Sequence, residues 1–175
     1  MPETDILLTV AEVAVAFAGF ASLVSILGRG TADADPRVLS LRMRAMLLTS
    51  LLVVGFSFVP VIFDGYGASR DTAWIGSSLL LLIANGVYYW WLQQAIQTLG
   101  RAGLTPSVFQ RRIIIPTLLS TLIAVSVLML VNLAAAVPAV YLTALVLLLF
   151  QSGFAFCLIV FSFLPSIRIG RDDGA

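Results

Sequence analysis

The chain has 175 residues, 60% of them hydrophobic and 11% charged, with a net charge of +1; its mean hydropathy is +1.05. A soluble domain of this length needs far less apolar material for its core, so water is excluded as its main solvent. All ten basic residues are Arg, His is absent and Cys157 is the one cysteine, which excludes a basic nucleic-acid face, an internal disulfide and a Cys/His metal cage.

Crossing the roughly 30 Å hydrocarbon core takes about 20 apolar residues at a rise of about 1.5 Å each. Five stretches qualify, near residues 6–27, 45–63, 72–94, 113–135 and 139–164. The expectation is a single all-α membrane domain, an integral bundle of five transmembrane helices, with residues 165–175 as a short cytoplasmic tail. Its first residues carry Glu3 and Asp5 where a secretory leader carries basic side chains, so the first apolar stretch reads as a retained helix.

That helix holds one carboxylate, Glu12, about six residues or roughly 9 Å past Ile6. Ala11, Ala14, Ala18, Ala21, Ser25 and Gly28 follow one another at three- and four-residue steps. In lipid, where apolar burial drives no association, such a small-residue face lets helix backbones approach closely. Ala16 and Gly19 extend the relief around Glu12, so the carboxylate is expected to face protein or water. An ionisable residue inside a span costs about 2.5 to 3.5 kcal/mol at the helix centre and less nearer the surface, and marks a functional site by default. Three roles fit it: a protonated acid bonded to another helix, a carboxylate in a wet cavity, or a ring of carboxylates in an oligomeric pore.

Arg29, Arg37, Arg42 and Arg44 follow the first helix, Arg101, Arg111 and Arg112 the third, and Arg168 and Arg171 the fifth. With Arg70 alone opposite them, the positive-inside rule places the N-terminus outside and the C-terminus in the cytoplasm. Arg37, Arg42, Arg44, Arg111 and Arg112 are then candidates for contacts with anionic lipid or a partner, at about 1 kcal/mol each. Tyr88, Tyr89, Trp90 and Trp91 fall toward the inner interface and Trp74 and Tyr141 toward the outer, where amphipathic rings are favoured. Pro60 and Pro116 are expected to bend the second and fourth helices.

Gly followed by Arg ends the first, third and fifth helices, at Gly28, Gly100 and Gly170. At an offset of 70 residues, Pro36, Arg42, Leu48 and Ser50 match Pro106, Arg112, Leu118 and Ser120. The pattern reads as a parallel internal repeat of helices 1 and 2 in helices 3 and 4, with helix 5 as a half unit. Chance likeness between apolar helices with a shared way of ending is the alternative.

Neutral polar residues stand at helical spacing: Ser50 and Ser57 on the second helix, Ser78, Asn85 and Tyr89 on the third, Thr117, Thr121 and Asn132 on the fourth, and Gln151 on the fifth. Glu12 and Asn132 share an outer depth, Asn85 and Gln151 the midplane. Glu12, Asn85, Asn132 and Gln151 are therefore the candidates for a pore or polar path; interhelical hydrogen bonds of about 0.6 kcal/mol each are the plainer account. No nucleophile stands beside a base and no acidic pair lies within a span, so an enzyme is not expected, nor a cofactor or a metal.

Glu12, with Ala18, Gly19 and Phe20 and then Leu27, Gly28 and Arg29, resembles the first helix of a group of small bacterial multi-pass proteins. The resemblance implies a bacterial inner (plasma) membrane location and carries no activity with it. The expected function is an oligomeric channel or small transporter for cations or small polar solutes. The alternative is a non-catalytic accessory or structural subunit of a larger membrane complex. Expected partners are the bilayer and either further copies of the chain or such a complex.

Overall fold

The computed structural model describes residues 3–27, 36–102, 112 and 114–163. They form five helices, α1 (Thr4–Leu27), α2 (Pro36–Gly65), α3 (Arg70–Arg101), α4 (Ile115–Ala135) and α5 (Pro138–Phe163). Each coincides with one of the expected apolar stretches. α2 and α3 run well beyond theirs, because Arg37, Arg42 and Arg44 at one end and Gln94, Thr98 and Arg101 at the other belong to residue types that suit a helix extending past hydrocarbon. Four helices, α2 to α5, are long and apolar enough to cross a membrane by length and composition.

Local chemistry sets the turns. Between α2 and α3, Gly67 takes a positive φ of 76°, a conformation open to a residue without Cβ. Ser69 then caps α3, its hydroxyl accepting from the Thr72 amide at 3.2 Å. Between α4 and α5 one residue closes the turn twice. The Asn132 carbonyl accepts from the left-handed Ala136 amide at 2.9 Å, and its side-chain oxygen accepts from the Val137 amide at 2.8 Å. Pro138 then opens α5, in a position where no amide proton is needed.

Helices α2, α3, α4 and α5 form a ring in which each packs on its chain neighbours and α5 returns to α2. α1 stands outside this ring, in the groove between α2 and α5. The ring's centre is filled by Val53, Trp74, Leu81, Leu122, Val125, Met129, Tyr141, Leu145 and Leu148, all with a relative exposure of 1% or less. Outward positions are equally apolar, among them Leu51, Ile83, Val87, Val127, Val146 and Phe150. Apolar side chains on both the inside and the outside make a surface that hydrocarbon solvates and water does not.

Two expectations about single residues change. Trp74 and Tyr141 are fully buried in place of lying in an interfacial belt; their rings meet edge to face, with centroids 5.6 Å apart. Pro116 sits in the first turn of α4, so it starts that helix and does not bend its interior. Pro60 does lie inside α2. It has no amide proton to give Phe56 O, and the Tyr141 hydroxyl donates to that carbonyl instead, at 2.7 Å. A long-range side chain thus supplies what the helix lacks.

Candidate functional site

α1 presents two faces of different chemistry. Leu7, Val10, Ala11 and Ala14 are buried against α2 and α5, and Ala18 is half-buried; the side chains of Ala21 and Ser25 lie outside the described residues. Further along, the Phe17 ring rests on Gly153 of α5, where an added Cβ would come within 3.3 Å of it. Its centroid lies 6.2 Å from that of Phe156. Small residues therefore do let α1 settle onto its own chain, as a close-packed membrane interface requires.

Glu12 points the other way. At about 100° per residue it stands some 200° from Ala14, and it is exposed. Asp5, Thr9, Ala16, Gly19 and Leu23 are exposed on the same stripe, and the space beside Gly19 is open. Bulkier exposed side chains, Leu8 and Val15 on one side and Val13 and Phe20 on the other, border it. Glu12 lies eight residues beyond the start of α1, about 12 Å along the helix. An ion pair joins Glu3 to Arg70 at the end of the bundle where α1 and α3 start; among the described residues Glu12 is in no such pair. That pair ties the start of α1 to the start of α3.

The other polar candidates lie inside the ring. The Asn85 amide donates to Leu122 O and to Ser126 Oγ, each at 2.9 Å, which couples α3 to α4 at mid-depth. The Asn132 amide donates to Ser78 Oγ at 2.8 Å and couples the same helices nearer the start of α3 and the end of α4. Gln151 is buried on α5, with Oε1 unpartnered; Oδ1 of Asn85 is unpartnered as well. Glu12 is not brought together with Asn85, Asn132 or Gln151: these three face inward from the ring, whereas Glu12 faces outward from the helix beside it.

Of the basic candidates, Arg37, Arg44 and Arg112 are exposed and Arg42 is half-buried. All belong to the end of the bundle opposite the Glu3 and Arg70 pair; Arg111 lies outside the described residues. Three couplings were not singled out from sequence. Ser50 and Ser152 hydroxyls meet at 2.7 Å between α2 and α5. The Tyr88 hydroxyl donates to Ala45 O at 3.1 Å and lies 3.0 Å from Thr49 Oγ1, between α3 and α2. Tyr141 bonds Phe56 O as described. Ser50 stood at helical spacing and Tyr88 among the rings read as interfacial, but nothing local in the sequence names a partner about 40 or 100 residues away.

Comparison with protein-family models, with curated proteins and with solved structures gives no match to this chain. What the coordinates define is a class: an all-helical bundle with four helices able to cross a membrane. Among the described residues no group of His, Cys, Asp and Glu side chains is placed to hold a metal ion.

Proposed function

We propose that the chain is an oligomeric multi-pass membrane protein that passes cations or small polar solutes along a path between its copies. The observation that carries this is the exposure of Glu12 on the face of α1 turned away from α2 and α5, eight residues into the helix and beside the small side chains of Ala16 and Gly19. A carboxylate facing hydrocarbon is costly; one facing a wet path shared with other copies is not, and it draws cations. The packed ring favours a path outside it. Asn85 and Asn132 are engaged in coupling α3 to α4, so they hold the scaffold on which α1 is mounted. The bacterial inner membrane, an outside N-terminus, a cytoplasmic C-terminus and the parallel repeat belong to the same reading, which rests for them on Arg placement and on the residues matched at an offset of 70.

The test is flux through proteoliposomes. Glu12→Gln keeps the size and removes the charge, and the expected result is a severalfold fall in cation flux with assembly retained. Unchanged conductance would end the role of Glu12. The second reading, an accessory subunit of a larger membrane complex, is favoured by one feature, the position of α1 outside the ring with a whole face uncovered. Gentle solubilisation that yields a stable complex with another polypeptide would support it over the channel.

A further inference from the structure

We infer that Arg42, at the seam between α2 and α3, holds the phosphate of an anionic phospholipid whose acyl chains lie on the apolar outer surface of the same two helices. The inference needs neither an oligomer nor a path at Glu12.

Placement is the first ground. Arg42, Ala45 and Thr49 follow steps of three and four residues, which set them on one side of α2. That side meets α3, because the Tyr88 hydroxyl donates to Ala45 O at 3.1 Å and lies 3.0 Å from Thr49 Oγ1. Side chains on a helix lean toward its start. Arg42 is half-buried, and it leans from this contact toward the end of the bundle where α2 begins and α3 ends. An arginine so placed keeps its stem among apolar neighbours and its head toward the polar layer.

Charge is the second. Among the described residues Arg42 has neither an ion pair nor a hydrogen bond, and Arg37, Arg44, Arg101 and Arg112 are exposed at the same end. Every described carboxylate, on Glu3, Asp5, Glu12, Asp64 and Asp71, stands in the other half of the bundle, early in α1, late in α2 or early in α3. Asp33, Asp35, Asp172 and Asp173 lie outside the described residues. A partly desolvated cation calls for a counter-charge, and the described part of the chain supplies none here.

The surroundings select lipid as its source. Trp90, 65% exposed, follows Tyr88 by two residues and so stands at nearly the same height on the outside of α3. An indole ring there suits the headgroup layer. Ile83 and Val87 on α3, and Leu48 and Leu51 on α2, continue that outer surface away from the Arg end, all apolar and exposed. The guanidinium presents a planar fork of donors that matches two phosphate oxygens at once. A phospholipid brings the missing negative charge to that fork with its chains already on the apolar surface, whereas an acidic peptide brings the charge alone.

Native mass spectrometry of the purified chain, titrated in detergent with dioleoyl phosphatidylglycerol or dioleoyl phosphatidylcholine, tests this. One phosphatidylglycerol is expected to survive collisional removal of detergent, about tenfold more often than phosphatidylcholine. Arg42→Gln should lower that retention about tenfold, as loss of a charge-assisted contact does. Arg44→Gln and Arg112→Gln, at solvated and screened positions, should lower it about twofold or less. Arg42→Lys keeps the charge without the fork and should fall between, and circular dichroism checks that each variant keeps its helices. Equal losses from all three Gln variants would reduce the site to a diffuse positive field and overturn it. So would equal retention of the two lipids, undiminished retention in Arg42→Gln, release of the lipid by inorganic phosphate, or a polypeptide bound through Arg42 in its place.

Discussion

The ring and α1 hold their polar residues in opposite ways. In the ring, Asn85, Asn132, Ser50, Ser152, Thr49, Tyr88 and Tyr141 all turn inward and bond across helix boundaries. On α1, Thr9 and Glu12 turn outward, although Ala11 and Ala14 are available to pack inside. In hydrocarbon a polar side chain settles where a partner is, because an unmade hydrogen bond costs more there than in water. Inward polar groups therefore describe how one chain folds. An outward one describes what that chain lacks until something covers it.

If that division holds, the largest stability losses come from ring residues that serve two helices and a turn at once. Asn132→Ala removes the bond to Ser78 and the cap on the Val137 amide. A loss of about 2 kcal/mol is expected, since the buried Ser78 oxygen loses its donor and the Val137 amide its acceptor. The midpoint of denaturant unfolding in detergent measures it, and a loss under about 0.5 kcal/mol would mean that the ring does not depend on its polar couplings.

Tyr141→Phe should cost about 1 kcal/mol, because Phe56 O then has neither the Pro60 amide nor a hydroxyl to accept from. Pro60→Ala restores an amide in the helix and supplies a donor to the same carbonyl. In the double variant the cost of losing the hydroxyl should therefore shrink toward zero. Additive losses in this cycle would show that the contribution of the hydroxyl does not depend on the amide missing at Pro60.

A smaller effect, confined to α1, is expected from Gly153→Leu. The new side chain meets the Phe17 ring, which already lies where a Cβ would be tight. Hydrogen exchange should quicken about tenfold at the amides of Leu7 to Ala14, with those of α3 and α4 unchanged. Equal quickening throughout would mean that α1 and the ring are one cooperative unit.

Much of the fold was legible because its solvent is. Apolar runs of about 20 residues mark helices in lipid whatever their packing; composition alone placed all five helices, of which α2 to α5 are long and apolar enough to cross a membrane. Asn132 could be recognised as polar but not as the closure of the turn between α4 and α5, which depends on the left-handed backbone at Ala136. Trp74 and Tyr141 read as interfacial from residue type; inside the bundle the Tyr141 hydroxyl meets the Phe56 carbonyl that Pro60 leaves without an amide, 85 positions away, and Trp74 packs on the Tyr141 ring. The candidate site was legible as a residue, Glu12, and as a relief, Ala16 and Gly19. Its direction was not. Both faces of α1 carry small side chains at similar steps, so periodicity alone could not tell which one α2 and α5 would take.

The smallest effect is the most telling. Glu12→Gln should change the unfolding free energy of the single chain in detergent by less than about 0.5 kcal/mol, as for other exposed positions. In detergent the α1 face is wet, so neither the charge nor its removal is strained. Any cost of the carboxylate should surface in the bilayer, as a change in the association of copies and in the flux between them. A loss of 2 kcal/mol or more in detergent would place Glu12 among the ring's inward polar groups after all, bonded within its own chain. A null effect there, paired with altered association in lipid, would set α1 apart from the ring by function as it is already set apart by position.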